Sequence, residues 1–119
     1  VVERSGDLVW ITDGDGVIEY VNPRFTEVTG YTPEEAYGRT GAQILASGLH
    51  GPGFYQDMWQ RLAGGESFQA TFLNRSRDGR LLHLEETISP LWNPDGTIRH
   101  YVATARDVTD FKAAEERIQ

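Results

Sequence analysis

The stretch that decides the fold is YVATARDVT, residues 101–109, running without a break into DFKAAEERI, residues 110–118. The first half is β-branched and aromatic, the composition of a strand. The second half is charged, with Phe111, Ala114 and Ile118 at 3–4 spacing, the pattern of an amphipathic helix or a short coiled-coil seam. A strand that hands over directly to a helix, with no later partner, predicts a domain taken from a longer protein. The strand belongs to a core, and the helix carries something onward.

Working outward, three Asp-Gly turns divide the remainder. Asp13-Gly14-Asp15-Gly16 parts residues 8–12 from 17–21. Asp78-Gly79 parts 68–76 from 81–88, and Asn93-Pro94-Asp95-Gly96 parts that run from 98–108. The flanks are β-rich, and glycine supplies the positive φ of a tight hairpin. Five strands follow, two early and three late. Between them the signals are helical. Asn22-Pro23 reads as a cap with proline at N1, opening a helix that ends near Gly30. In Thr32-Pro33-Glu34-Glu35 the threonine caps and Glu35 reaches back from N3. Gly51-Pro52 opens a third helix, with Phe54, Tyr55, Met58, Trp59 and Leu62 at helical spacing and Gly64-Gly65 as its stop. Residues 38–49 predict one short helix within irregular backbone. The order β-β-α-α-α-β-β-β-α predicts an α+β fold, an antiparallel sheet whose apolar face is covered by helices with a space between.

A chain of 119 residues has room for one domain with a core. The net charge of −7 argues against a nucleic-acid partner, because phosphate binding needs clustered cations. Arg75, Arg77 and Arg80 straddle a turn and read as a solvated hairpin end. No run approaches the roughly 20 apolar residues of a membrane span, and no signal peptide is visible. The expectation is a soluble, cytoplasmic fragment without membrane insertion of its own, whose parent can be anchored elsewhere. The sequence has no cysteine, which removes disulfides, thiolate metal sites and a cysteine nucleophile. No nucleophile–base, zinc or phosphate-loop motif is present. Asp13-Gly14-Asp15-Gly16 lacks the closing glutamate of a calcium loop. No catalytic residue and no metal ligand is assigned.

Several motifs, in this order and spacing, resemble the PAS sensor domain family with its C-terminal PAC motif. They are Ile11-Thr12-Asp13 with Gly16-Val17-Ile18, then Asn22-Pro23-Arg24-Phe25 with Thr29-Gly30-Tyr31. Glu34-Glu35 with Gly38-Arg39, Asn74-Arg75 with Asp78-Gly79, and Arg106-Asp107-Val108-Thr109 complete the set. The likeness covers about residues 7–110, leaving 1–6 as the end of a linker, 7–109 as the domain, and 110–119 as the start of a signalling helix. It implies a five-stranded antiparallel sheet of order 2-1-5-4-3 with helices packed on one face and a C-terminal output helix. It also implies a parent such as a bacterial sensor histidine kinase or a cyclic-di-GMP enzyme, acting as a homodimer. Asp107 and Thr109 match the exit motif that couples the last strand to the output helix.

Strand alternation and this likeness together predict the pocket. Phe72 and Asn74 share a face of their strand, as do Leu84 and Glu86 of the next, and Tyr101, Ala103 and Ala105 of the last. With Trp10, Thr12, Phe25, Val28, Ile44 and Trp59 they form the expected ligand site, although a one-residue bulge would reverse any of these faces. In the light-oxygen-voltage branch of the family a cysteine just after the Gly-Arg motif bonds to flavin. Here that position is Gly41, so photoadduct-forming FMN is disfavoured, and of the polar residues that read the flavin ring there only Asn74 remains, against Leu84 and Ala105. Haem is disfavoured too, because the helix near residues 53–63 carries no histidine; His50, His83 and His100 read as surface or capping residues. The string Ile44-Leu45-Ala46-Ser47-Gly48, Phe54-Tyr55, Met58-Trp59, Asn74-Arg75 resembles flavin-binding PAS domains of bacterial redox sensors. FAD, another small ligand and no retained ligand stay open, the last preferred.

Glu86 is the anomaly, a carboxylate on the otherwise apolar face of Leu82, Leu84 and Ile88. A buried carboxylate is costly unless paired or protonated. Either the strand twists to carry Glu86 to solvent, or it anchors a ligand, or it pairs with Arg106 or another base. Functionally the sequence reads as a sensory module that detects a small molecule or cofactor state in an internal pocket. A ligand-free dimerisation module and an FAD-based redox sensor are the alternatives.

Overall fold

The computed structural model describes residues 6–111. The first hairpin pairs β1 (Leu8–Asp13) with β2 (Ile18–Val21). It is closed by the Asp13 carboxylate, which accepts from the amides of Asp15 at 2.9 Å and Val17 at 3.0 Å. Asn22 then caps α1 (Pro23–Thr29), its side chain accepting from the amides of both Phe25 and Val9 at 3.0 Å. One amide group thus fixes the helix start and ties it to β1. Gly30 ends α1 in the left-handed region, and a Thr32–Glu35 capping box opens α2 (Pro33–Ala36). The short helix within 38–49 is α3 (Gly41–Leu45), opened by a second capping box between Thr40 and Gln43. The long helix α4 spans Pro52–Ala63.

The later strands β3 (Phe68–Arg75), β4 (Leu81–Trp92) and β5 (Ile98–Asp107) complete one antiparallel sheet of order β2-β1-β5-β4-β3. The α+β class and strand order are those expected, and β5 is the central strand. One boundary differs. β4 continues past Ile88 through Pro90 to Trp92. Its pairing with β3 ends at Ile88, and beyond that it pairs only with β5. One side of the strand is therefore open there, where a residue that cannot donate is tolerated. Backbone from Thr109 to Phe111 turns helical. The 1–6 linker, apart from Gly6, and the seam positions Ala114 and Ile118 lie outside the described residues.

The core forms two clusters. One gathers Leu8, Trp10, Phe25, Leu84 and Ala105 with their neighbours under α1 to α3. The other gathers Met58 and Leu62 of α4 with Phe68, Phe72 and Tyr101. Ile88 packs against both.

Candidate functional site

At the seam between the two clusters lies a partly open cavity of about 250 Å³. Its back wall is the sheet: Trp10 and Thr12 of β1, Tyr101 and Ala103 of β5, Glu86 and Ile88 of β4, and Phe72 and Asn74 of β3. Tyr55, Met58, Trp59 and Leu62 face it from α4, at the 3–4 spacing that gives a helix one apolar face. Leu45 closes it from α3. Asp15 and Gly16 of the first hairpin, with Thr40, Gly41 and Ala42, surround the side that reaches solvent. Trp59, 39 % exposed, lies across Gly16. A Cβ at Gly16 would meet the indole at 2.7 Å, and φ there is +87°. Glycine at 16 thus serves both the turn and the close approach of the ring.

Eight of the predicted pocket residues, Trp10, Thr12, Trp59, Phe72, Asn74, Glu86, Tyr101 and Ala103, line this cavity. Phe25, Val28, Ile44, Leu84 and Ala105 do not; they are buried in the first core cluster. Along β1 and β5 the split follows the register, whereas on β4 Glu86 reaches the cavity although it opposes Ala105. Ala103 opposes Trp10 at the cavity, whereas Ala105 opposes Leu8, and at that end of the sheet α1 fills the concave face with Phe25 and Val28. Tyr55, Met58 and Leu62 were legible as a helix face, the first two also within the flavin-binding likeness, but none was assigned to the pocket. Leu45, Gly41 and Ile88 were marked by the family likeness or by strand alternation without being assigned to the pocket, and Asp15, Thr40 and Ala42 were not singled out as lining.

Glu86 is 2 % exposed, so the strand does not carry it to solvent. Nor does it pair with Arg106, whose guanidinium bonds Glu85 at 2.7 Å on the opposite face. Its hydrogen bond is accepted from the Asn74 amide at 3.0 Å. Loss of hydration pushes its pKa up to about 8, against the opposing pull of the Asn74 bond. The Tyr55 hydroxyl is in turn raised by burial and by the nearby Glu86 charge.

His50 also differs from expectation. It neither caps nor lies free on the surface. Its Nε2 accepts the Leu73 amide of β3 at 2.8 Å, and its ring stacks on Phe54 with centroids 3.8 Å apart. An acceptor nitrogen must be unprotonated, and burial lowers the His50 pKa. His100 Nδ1 lies 3.1 Å from the Thr12 carbonyl and 3.0 Å from Glu19. No histidine lines the cavity, so its donor set does not fit an axially ligated haem. A thiol-bonded flavin does not fit either. Gly41 lines the cavity in a chain without cysteine, and Leu84 and Ala105 are turned into the core. No group of three or more acidic or histidine side chains suited to a metal occurs among the described residues. No helix among them is long and apolar enough to cross a membrane.

At the far end of β4 and β5 the chain is clasped. The Val108 amide donates to the His83 carbonyl at 2.9 Å, and the His83 amide donates to Thr109 Oγ1 at 3.0 Å. Asp107 Oδ1 accepts from both the amide and the hydroxyl of Thr109. The first helical turn is thereby hydrogen-bonded to the backbone of β4.

A family model described as the PAS fold matches residues 2–113. The chain is 32 % identical over 119 residues to a nitrogen fixation regulatory protein of Klebsiella pneumoniae, covering 100 % of this chain and 24 % of that protein. It is 30 % identical over 115 residues to hybrid signal transduction histidine kinase L of Dictyostelium discoideum, covering 97 % of this chain and 6 % of that one. Among solved structures, an RNA-binding light-oxygen-voltage receptor superposes with a TM-score of 0.84 over 97 % of this chain and 33 % of its own, at 24 % identity. The chain spans a quarter or less of the two relatives it matches in sequence.

Proposed function

The chain belongs to the PAS fold family, a sensor domain of signal-transduction proteins that include histidine kinases, and from that premise we propose that it senses a small molecule in its internal cavity. In this reading the domain is non-catalytic, and the bound state is passed through the C-terminal helix to an output domain of a homodimeric cytoplasmic parent. The observation that carries the reading is that one strand serves both ends. β4 gives Glu86 and Ile88 to the cavity and, three residues before Glu86, gives His83 to the clasp on Val108 and Thr109. A ligand that moves Glu86 shifts the backbone that holds the helix start. Packed strands transmit such displacements because close-packed interiors yield little.

Benzene tests this without knowledge of the natural ligand, since apolar cavities take it up. In NMR spectra of the domain, benzene is expected to shift the Met58 methyl and Ala103 signals and, with them, the Thr109 amide. In Asp107→Ala the first two shifts persist and the third is lost. Cavity shifts with an unmoved Thr109 amide in the unsubstituted chain would refute the coupling; no cavity shifts at all would refute the binding site.

A further inference from the structure

The cavity lining carries acid and no base. Glu86, buried within it, has one hydrogen bond, from Asn74, and neither lysine, arginine nor histidine lines the space. The polar groups that share its cavity are Asn74 of β3, Tyr55 of α4, Tyr101 of β5, Thr12 of β1, the Thr40 hydroxyl and the indole N–H groups of Trp10 and Trp59. Thr12 donates its hydroxyl to the Asp13 carbonyl, so it offers Glu86 no proton. The second acid, Asp15, stands at the solvent side. The remaining walls are mostly aromatic or aliphatic, with Trp10, Tyr55, Trp59, Phe72 and Tyr101 presenting rings. Ring faces attract cations, and a carboxylate out of water seeks a counter-charge.

We propose that the cavity takes a small nitrogen base bound as its cation, with Glu86 as counter-ion and the aromatic walls holding the apolar part. This rests on the reading of the cavity as the sensory site and adds the charge of what enters. The space is below the 300–1,000 Å³ of sites for drug-sized ligands, so the ligand is compact, a single ring carrying an amine or amidine. The proton balance is explicit. Without ligand, Glu86 holds a proton at neutral pH; the cation enters, the carboxyl releases that proton to solvent, and the ion pair replaces the O–H. One proton leaves per cation bound, so affinity rises about tenfold per pH unit until Glu86 is ionised in the free protein.

Benzamidine, which stays protonated throughout this range, is the probe, and neutral benzamide of the same shape is its control. Calorimetry is expected to show benzamidine binding that strengthens about tenfold per unit between about pH 6 and pH 8 and then levels. Benzamide should bind at least tenfold more weakly at about pH 8, without a pH trend. In Glu86→Gln the benzamidine trend disappears and its affinity falls to that of benzamide, while the benzene shifts at Met58 and Ala103 remain. Equal binding of the two probes, an affinity that falls as pH rises, or benzene shifts without benzamidine binding would overturn the charge assignment and leave the sensory cavity standing. Loss of the benzene shifts as well would remove both. The trend in the unsubstituted chain decides the matter even if the variant does not fold.

Discussion

Replacing Glu86 by glutamine removes a titration while keeping the shape of the side chain and an oxygen that can accept from Asn74. The folded pKa of Glu86 is pushed up to about 8, from an ordinary 4.5. Between those values the folded chain holds a proton there that the unfolded chain has released. The stability tied to this group is therefore complete below pH 4.5 and is lost as pH rises through about 8. The loss is about 1.4 kcal/mol per pH unit, or about 3 kcal/mol by neutral pH. That is a large share of the 5–15 kcal/mol of a typical domain. His50 acts with the opposite sign. Its pKa is lowered from 6.5, so its contribution is present above 6.5 and lost as pH falls. Below 6.5 the slopes of Glu86 and His50 oppose each other, and above it the His50 slope is absent. Glu35, Asp78 and Asp95 are held below their ordinary values, and Tyr55 and Tyr101 are raised from 10. Urea unfolding followed by tryptophan fluorescence from pH 6.5 to about 9 isolates the effect. The unsubstituted chain should lose about 2 kcal/mol across that span and then flatten, while Glu86→Gln loses none and is the more stable at neutral pH. Parallel slopes for the two proteins would refute the buried, protonated carboxyl.

Three further substitutions test neighbouring claims. His50→Phe keeps a ring against Phe54 but leaves the Leu73 amide without its acceptor; a loss of about 1–3 kcal/mol is expected at neutral pH, together with disappearance of the His50-dependent decline below pH 6.5, both read from urea midpoints. Gly16→Ala forces a positive φ on a residue with a Cβ and drives that atom into Trp59, so about 1–3 kcal/mol should be lost and the Trp59 emission should shift; an unchanged spectrum would show that the indole does not cover the hairpin. Asp107→Ala deletes the acceptor of two Thr109 bonds and should cost about 1 kcal/mol, with faster hydrogen exchange at Thr109 and unchanged exchange at the Met58 and Ala103 amides.

The fold was legible where local chemistry decides it. Asp-Gly turns, the Asn22 and Thr32 caps and the N1 prolines act within four residues of themselves, and each stands where the sequence placed it. The Thr40 capping box was equally local and went unread because three glycines obscured it. On the strands the site was legible by parity, and on the helices by the family likeness. Alternation turns Glu86, Leu84 and Ala105 inward alike, but parity cannot say which end of a concave face a helix has already filled. Phe25 and Val28 settle that, by packing over the Leu8–Ala105 end and leaving the Trp10–Ala103 end open. The same parity argues against the Arg106 pairing. Arg106 follows Ala105, so whatever turns Ala105 inward turns Arg106 outward, onto Glu85, its direct partner across the ladder. The pairing of Asn74 with Glu86 was not legible for the converse reason. Asn74 opposes Leu82, while Glu86 opposes Ala70, so their bond runs along the inner face and not across a rung. Such a contact depends on the curvature of the whole sheet, which no window of sequence contains. The contact that sequence could not supply is therefore the one that makes an anomalous buried acid a hydrogen-bonded wall of the cavity.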